Sequence, residues 1–515
     1  MTDHRPLHRP QNPRSLRRRG FLTGTLGILA LSACAPQSKA AGYLSPDDPR
    51  IGEVETARDT TGNTVTVDLT AAASTLQIGD TTAQTWSFGE IPAPVIRMTR
   101  GDRLKATVRN DLPEDTTVHW HGLALRNDMD GVPGVTQDPI PAGGSYTYDF
   151  IAPHPGTYWF HPHVGTQLDR GLYGALIVDD PEEPLNYDRD WVIILDDWLD
   201  GVTATPDDVL TELSKGMGGM GGMDHGGMSG PMRMGNTLMG ASSDVLGGDA
   251  GDVFYPHYLV NGRGPDDPEI FDAKPGEKIR LRIINAGGDT AFRVALTGHR
   301  LTVTHTDGFP VEAGDAAVAD SLLIGMGERY DAIVTVGDGV FALVAEAEGK
   351  GARTHAVLRA GSGQVPGVDR DLSEFVSAPL AAEALTAAKA VTLLQKRPDQ
   401  ELTIRLTGSM AKYDWAFDGK RFDHAKPLTN AWSISEGERV RVRFVNDTDM
   451  WHPIHLHGHT YQLADGGPRK DTSIVLPGAT LTIDFDADNP GRWLTHCHNV
   501  YHGEAGMMGV IAYQA

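Results

Sequence analysis

The sequence predicts an all-β fold made of three tandem β-sandwich domains. One observation behind this is an internal repeat. Gly101–Asn110 (GDRLKATVRN), Gly276–Asn285 (GEKIRLRIIN) and Gly437–Asn446 (GERVRVRFVN) each run ten residues from Gly to Asn. Each alternates polar and apolar positions, the pattern of a half-buried strand. The second observation is length, since 515 residues accommodate about three domains of ordinary size. The third is the absence of helical heptads in a glycine-rich chain. We therefore expect a leader at 1–42 and domains at 43–185, 186–375 and 376–515.

The leader carries Arg17-Arg18-Arg19-Gly20-Phe21-Leu22, which resembles a twin-arginine export signal. The apolar run that follows, 21–33, is too short to span a bilayer as a helix. Leu31-Ser32-Ala33-Cys34 then reads as a lipoprotein cleavage box, making Cys34 the lipidated, membrane-anchored first residue. Ordinary cleavage near Ser38-Lys39-Ala40 is the competing reading. Either route places the mature chain in the periplasm. Its only other cysteine is Cys497, so no disulfide can form and that thiol is free to bind metal. The formal charge is −23. Removing a leader with six arginines and one aspartate in its first 33 residues makes it more acidic still. Nucleic acid is excluded as a partner, and cationic or neutral substrates are favoured. We expect a monomer.

A second element follows each repeat. Domain one has Pro155-Gly156 and then His161 five residues after the glycine; domain three has Pro490-Gly491 and then His496 at the same distance. Domain two has Gly339, followed by Val344 and Glu346 where a His-x-His would stand. Its stretch after Asn285, Ala286–Ala291, holds no His-x-His either. The middle domain is expected to act as a spacer and wall.

Four clusters carry the chemistry: His119-Trp120-His121, His161-Pro162-His163, His452-Pro453-Ile454-His455-Leu456-His457, and His496-Cys497-His498 with His502 and Met507 following. They hold ten of the twenty histidines. Cys497, His502, Met507 and one further imidazole make the His₂Cys set with a weak axial Met of a blue-copper electron-transfer site. Extended backbone would turn His496 and His498 away from Cys497. One segment could then serve two metal sites.

The motifs HWHG, HPH, HPIHLHGH and HCHNVYHGEAGM together resemble the multicopper oxidases, over residues from about 45 to the end, and most of all the bacterial copper-efflux (cuprous) oxidase and laccase branch. The resemblance implies cupredoxin-like Greek-key sandwiches and four copper ions. It implies a type 1 copper on His452, Cys497, His502 and axial Met507, and a type 2 copper on His119 and His455. It implies one type 3 copper on His121, His161 and His498, and another on His163, His457 and His496. Aligning domains one and three puts Thr116 at the place of His452, Pro162 at Cys497, Gln167 at His502 and Leu172 at Met507. The blue site then belongs to domain three alone, and the other cluster lies between domains one and three.

The implied reaction couples one-electron oxidation of a substrate to four-electron reduction of O₂ to water. Asp130, eleven residues after His119, matches an acidic position that the family places near the trinuclear centre; the alternative is a turn residue beside Gly131. Glu504 is a second candidate acid, although relatives carry theirs one residue earlier, where this chain has Gly503. Residues 216–240 hold Met217, Met220, Met223, Met228, Met232, Met234 and Met239 spaced by glycine. Thioethers select Cu(I), so a flexible collector of cuprous ion is expected here, against an incidental glycine-rich insertion. Asp449 and Met450, just before His452, are a further candidate substrate-copper site. Cu(I) is the expected reductant, with oxidation of phenols or aromatic amines as the alternative. An intact loop over the blue site would favour Cu(I), and an exposed His502 edge would favour phenols.

Overall fold

The computed structural model describes residues 42–216, 231–368 and 371–515. Cys34 with the rest of the leader up to residue 41, and Met217, Met220, Met223 and Met228, lie outside the described residues. Among the described residues no helix is long and apolar enough to cross a membrane.

Each repeat is a strand at the centre of a sheet: Arg103–Asn110, Lys278–Asn285 and Arg439–Asn446. Each pairs in parallel with an earlier strand, Thr64–Ile78, Arg189–Trp198 and Gln400–Thr407 respectively. Each also pairs antiparallel with a later one, Ser145–Ile151, Arg329–Thr335 and Thr480–Asp486. The closing asparagine explains why the strand stops. Asn110 donates from its side chain to the carbonyls of Glu114 and Ile140. Asn285 does the same to Thr290 and Ile324, and Asn446 to Met450 and Val475. Each side-chain oxygen accepts the backbone N–H two residues on, in Leu112, Gly287 and Thr448. This is an Asx turn that diverts the chain out of its sheet.

The second sheet of each sandwich shares one strand order. In the first it runs Ala93–Thr99, Gly174–Asp179, Gly156–His161, His119–His121. In the second it runs Ile270–Asp272, Ala352–Arg359, Val340–Ala347, Phe292–Leu296, Leu322–Ile324. In the third it runs Trp432–Ile434, Met508–Tyr513, Arg492–Cys497, His452–Leu456, Thr472–Val475. Gly156, Gly339 and Gly491 open the equivalent approaches at φ of 151°, 145° and 156°, a region that disfavours side chains. The facing sheets enclose the apolar cores. In the first sandwich Trp120, Tyr148, Phe150 and Phe160 fill that space.

Strand pairing corrects one detail of the repeat. His119 lies opposite His161, His455 opposite His496, and Ala295 opposite Val344. The middle counterpart of the histidine strand is therefore Phe292–Leu296, one residue later than the Asn spacing of the other two copies predicts. It carries no ligand-type side chain at that position.

Candidate metal centre

Trp120 is buried in the core of the first sandwich, so alternation along its strand turns His119 and His121 outward. Ile454 and Leu456 do the same for His455 and His457 in the third. The two sandwiches meet ring on ring. His119 stacks on His457 with centroids 3.9 Å apart, and His121 on His455 at 3.8 Å. His161, His163, His496 and His498 close the cluster from the neighbouring strands.

The outer ring nitrogens fix the tautomers. Nδ1 of His119, His161, His455 and His496 bonds the carbonyls of Asp130, Pro162, Asp471 and Cys497 at 2.8–2.9 Å. A carbonyl only accepts, so Nδ1 carries the hydrogen and Nε2 is left as a lone pair. His457 Nδ1 donates to the Asp130 carboxylate at 2.9 Å. His121 is reversed, with Nε2 held by Asp471 and Thr472 at 3.1 Å each. The inward atoms are buried without a partner: Nε2 of His119, His161, His455 and His457, Nδ1 of His121, and both nitrogens of His498. Nε2 of His163 faces Nε2 of His496 at 3.4 Å. Burial, reinforced by neighbouring imidazoles, pushes His121, His161, His163, His457, His496 and His498 well below the ordinary histidine pKa. They are neutral, the ligand form. Converging buried lone pairs are costly unless a cation satisfies them. Three groups have ligand atoms within 4.8 Å of one another: His119, His121, His455; His121, His161, His498; and His163, His457, His496.

Cys497 forms a fourth group with His452 and His502. Its Sγ lies 3.6 Å and 3.8 Å from their Nδ1 atoms, which are 3.0 Å apart. The short helix Val500–Ala505, capped by the Asn499 side chain, turns the chain back and brings the Met507 backbone beside Cys497. Its backbone bonds Cys497 and His502, and its side chain is fully buried. The outer nitrogen of His452 bonds the Thr448 hydroxyl at 2.9 Å. The outer nitrogen of His502 bonds the Asp252 carboxylate at 2.9 Å. Burial opposes charge on His502, but the bond to Asp252 and the Cys497 sulfur hold its pKa up to about 10.

The donor set fits soft and borderline ions of the copper kind: one thiolate, one thioether and ten imidazoles. Family models described as multicopper oxidase match residues 70–183, 189–363 and 395–515. The chain is 46% identical to multicopper oxidase MmcO of Mycobacterium tuberculosis, over 97% of each chain. The chain belongs to the multicopper oxidases. It is also 30% identical to copper resistance protein A of Escherichia coli, over 85% of this chain and 91% of that one. Among solved structures, the laccase of Botrytis aclada matches 90% of both chains at a TM-score of 0.71 and 25% identity. The protein is therefore a copper-using oxidoreductase that acts with O₂.

Other predicted residues of this oxidase fall as follows. Asp130 touches both His119 and His457, as just described. Glu504 is half-buried and lines a cavity of about 30 Å³ with His163, His496 and Cys497. Burial, with Asp207 nearby, pushes its pKa up to about 7. Met450 is buried in the core, whereas Asp449 is exposed on the bend before it. Met232–Met234 and Thr237–Met239 pair as a hairpin, with Met232 opposite Met239. The expected flexibility does not extend to Thr237 and Leu238, which are buried, with Leu238 N–H bonded to the Asp252 carbonyl.

Sequence reasoning missed Asp252, Asp471 and Thr472. Asp252 lies 250 residues from its partner His502. No spacing marks it, and its residue type is common in loops.

Proposed function

We propose that this multicopper oxidase oxidises Cu(I) to Cu(II) in copper tolerance and passes the electrons to O₂, with phenol oxidation as the alternative. In balance, four cuprous ions, one O₂ and four protons give four cupric ions and two waters. His452, Cys497, His502 and axial Met507 would hold the type 1 copper, and His119 and His455 the type 2. His121, His161 and His498 would hold one type 3 copper, and His163, His457 and His496 the other. When bound, the four coppers supply one-electron redox steps and store the electrons that O₂ takes up. The chain's own residues do the rest. His496 and His498 flank Cys497 and join its sulfur covalently to the histidine cluster. Asp130 orients His119 and His457, and Glu504 is placed to hold a proton beside the small cavity at His163 and His496.

The observation that carries the Cu(I) reading is the closed edge of His502. An organic reductant needs that edge exposed. Here His502 is buried, and Asp252, itself bonded by the Tyr413 hydroxyl at 3.1 Å, covers its outer nitrogen. A carboxylate and soft thioethers attract a cation instead. Alternation and cross-strand pairing put Met232, Met234 and Met239 on one face of a hairpin tied to the backbone of Asp252. The curated relatives that include a copper resistance protein support the same reading. The leader supports export to the periplasm by the twin-arginine route, with Cys34 as the lipid anchor. The test is the Met232→Leu/Met234→Leu/Met239→Leu variant in the copper-loaded full chain. It should raise the KM for Cu(I) about tenfold and leave phenol oxidation unchanged. An unchanged KM for Cu(I) would move the assignment to a laccase-type enzyme.

A further inference from the structure

The middle sandwich supplies none of the ligand groups among the described residues, yet it reaches the histidine cluster. Its loop at Gly327 packs so close that a Cβ there would lie 2.9 Å from the His498 ring and 3.0 Å from the His121 ring. Gly327 also has a φ of 85°, so glycine is required twice over. Two residues on, Arg329 forms a bidentate pair with Asp471 of the third sandwich, at 2.7 Å and 2.6 Å. Asp307, also from the middle sandwich, accepts the backbone N–H groups of Asp471 and Thr472 at 3.1 Å and 3.2 Å. Every one of these side chains is fully buried.

The dipeptide they pin holds two histidines at once. His121 Nε2 bonds the Asp471 carboxylate and the Thr472 hydroxyl. His455 Nδ1 bonds the Asp471 carbonyl and the same hydroxyl, at 2.9 Å and 3.1 Å. The rings are stacked, 13° from parallel, but they present opposite nitrogens inward. Only acceptors at one fixed place give that result, because each must receive a ring N–H. We propose that Arg329 and Asp307 make Asp471-Thr472 a positioning element that selects the copper-facing nitrogens of His121 and His455. The middle sandwich is then a working part of the oxygen-reducing centre. This rests on the reading of His121 and His455 as copper ligands.

The charge pair cannot be imitated by an amide. The Asp471 carboxylate accepts from both guanidinium nitrogens and from His121. An asparagine offers one acceptor, and its NH₂ meets either Arg329 or the His121 ring. Facing His121, it would favour the tautomer that removes the inward lone pair. The experiment loads the full chain with copper and compares wild type, Asp471→Asn and the double variant Arg329→Met/Asp471→Leu. The double variant keeps the fold accessible by removing both charges together. Copper content, the type 2 electron paramagnetic resonance signal and the blue absorption are read on each. Both variants should keep the blue absorption, which reports an intact third sandwich. Copper affinity at the histidine cluster should fall about 10–100-fold, with an altered type 2 signal. Unchanged affinity and signal in both variants would overturn the proposal alone. If His455→Ala kept the same copper content and the same type 2 signal as wild type, the ligand reading would fall and the proposal with it.

Discussion

The pocket at Cys497 and its counterpart at Pro162 occupy equivalent places in two sandwiches of the same design, and they answer burial in opposite ways. In the first sandwich the Thr116 hydroxyl donates to Gln167 Oε1 at 2.7 Å, and Gln167 Nε2 donates to the Asp115 carbonyl at 2.8 Å. Leu172 is fully buried in the core of the same sandwich. This polar pair is neutral and satisfied, and it needs nothing from outside the chain. In the third sandwich two imidazole nitrogens and a sulfur converge within 3.0–3.8 Å. That arrangement invites a cation. The backbone frame is common to both pockets, so the side chains alone decide whether it is a hydrogen-bonded plug or a metal site.

The sharpest way to break this contrast is Cys497→Ser in the copper-loaded protein. The blue absorption and the oxidase activity should both vanish while copper remains in the histidine cluster. A serine variant that stays blue would contradict the assignment. A smaller effect is expected on the other side of the comparison. Thr116→Val leaves Gln167 Oε1 buried and unpaired, which costs about 1–3 kcal/mol of stability. Chemical denaturation should show that loss with catalysis untouched, and adding Gln167→Leu should recover most of it. Loss of blue copper in Thr116→Val would mean that the first-sandwich plug is coupled to the redox site. The smallest change is Met507→Leu. An axial thioether is a long, weak ligand, so the variant should remain blue and shift to higher potential. Voltammetry checks this, and loss of the type 1 copper would show that Met507 holds the ion rather than tunes it.

Much of this comparison was legible in the sequence. Asn110, Asn285 and Asn446 end strands of one pattern because a side-chain amide closes the same turn each time, and that leaves a readable repeat. The histidines are readable because His-x-His spacing on a strand puts both rings on one face. What the sequence hid came from contacts between sandwiches. Asp252, Asp307 and Asp471 are ordinary residue types outside the strands and Arg329 opens one, and only packing between sandwiches brings Asp252 to His502, Asp471 to His121, and Arg329 and Asp307 to Asp471. The middle domain thus read as a spacer and wall, which the packing of Gly327 against the histidine cluster fits, but the reach of Arg329 to it through Asp471 was hidden. The methionine segment was hidden differently. Glycine spacing suggested a free loop, but Thr237 and Leu238 anchor a hairpin by burial, which a composition argument does not register.

The proposed choice of Cu(I) over phenols rests on the closed edge of His502, and Asp252→Ala tests it directly. Steady-state oxidation of Cu(I) and of a phenol should be measured on the same copper-loaded preparations of wild type and variant. Removing the carboxylate takes away the group proposed to attract the cation and uncovers the outer nitrogen of His502. The expected result is a fall of about 10–100-fold in kcat/KM for Cu(I), with the blue absorption retained and phenol oxidation unchanged or raised. Equal Cu(I) turnover in the two proteins, or a fall in phenol oxidation to match that for Cu(I), would contradict the account.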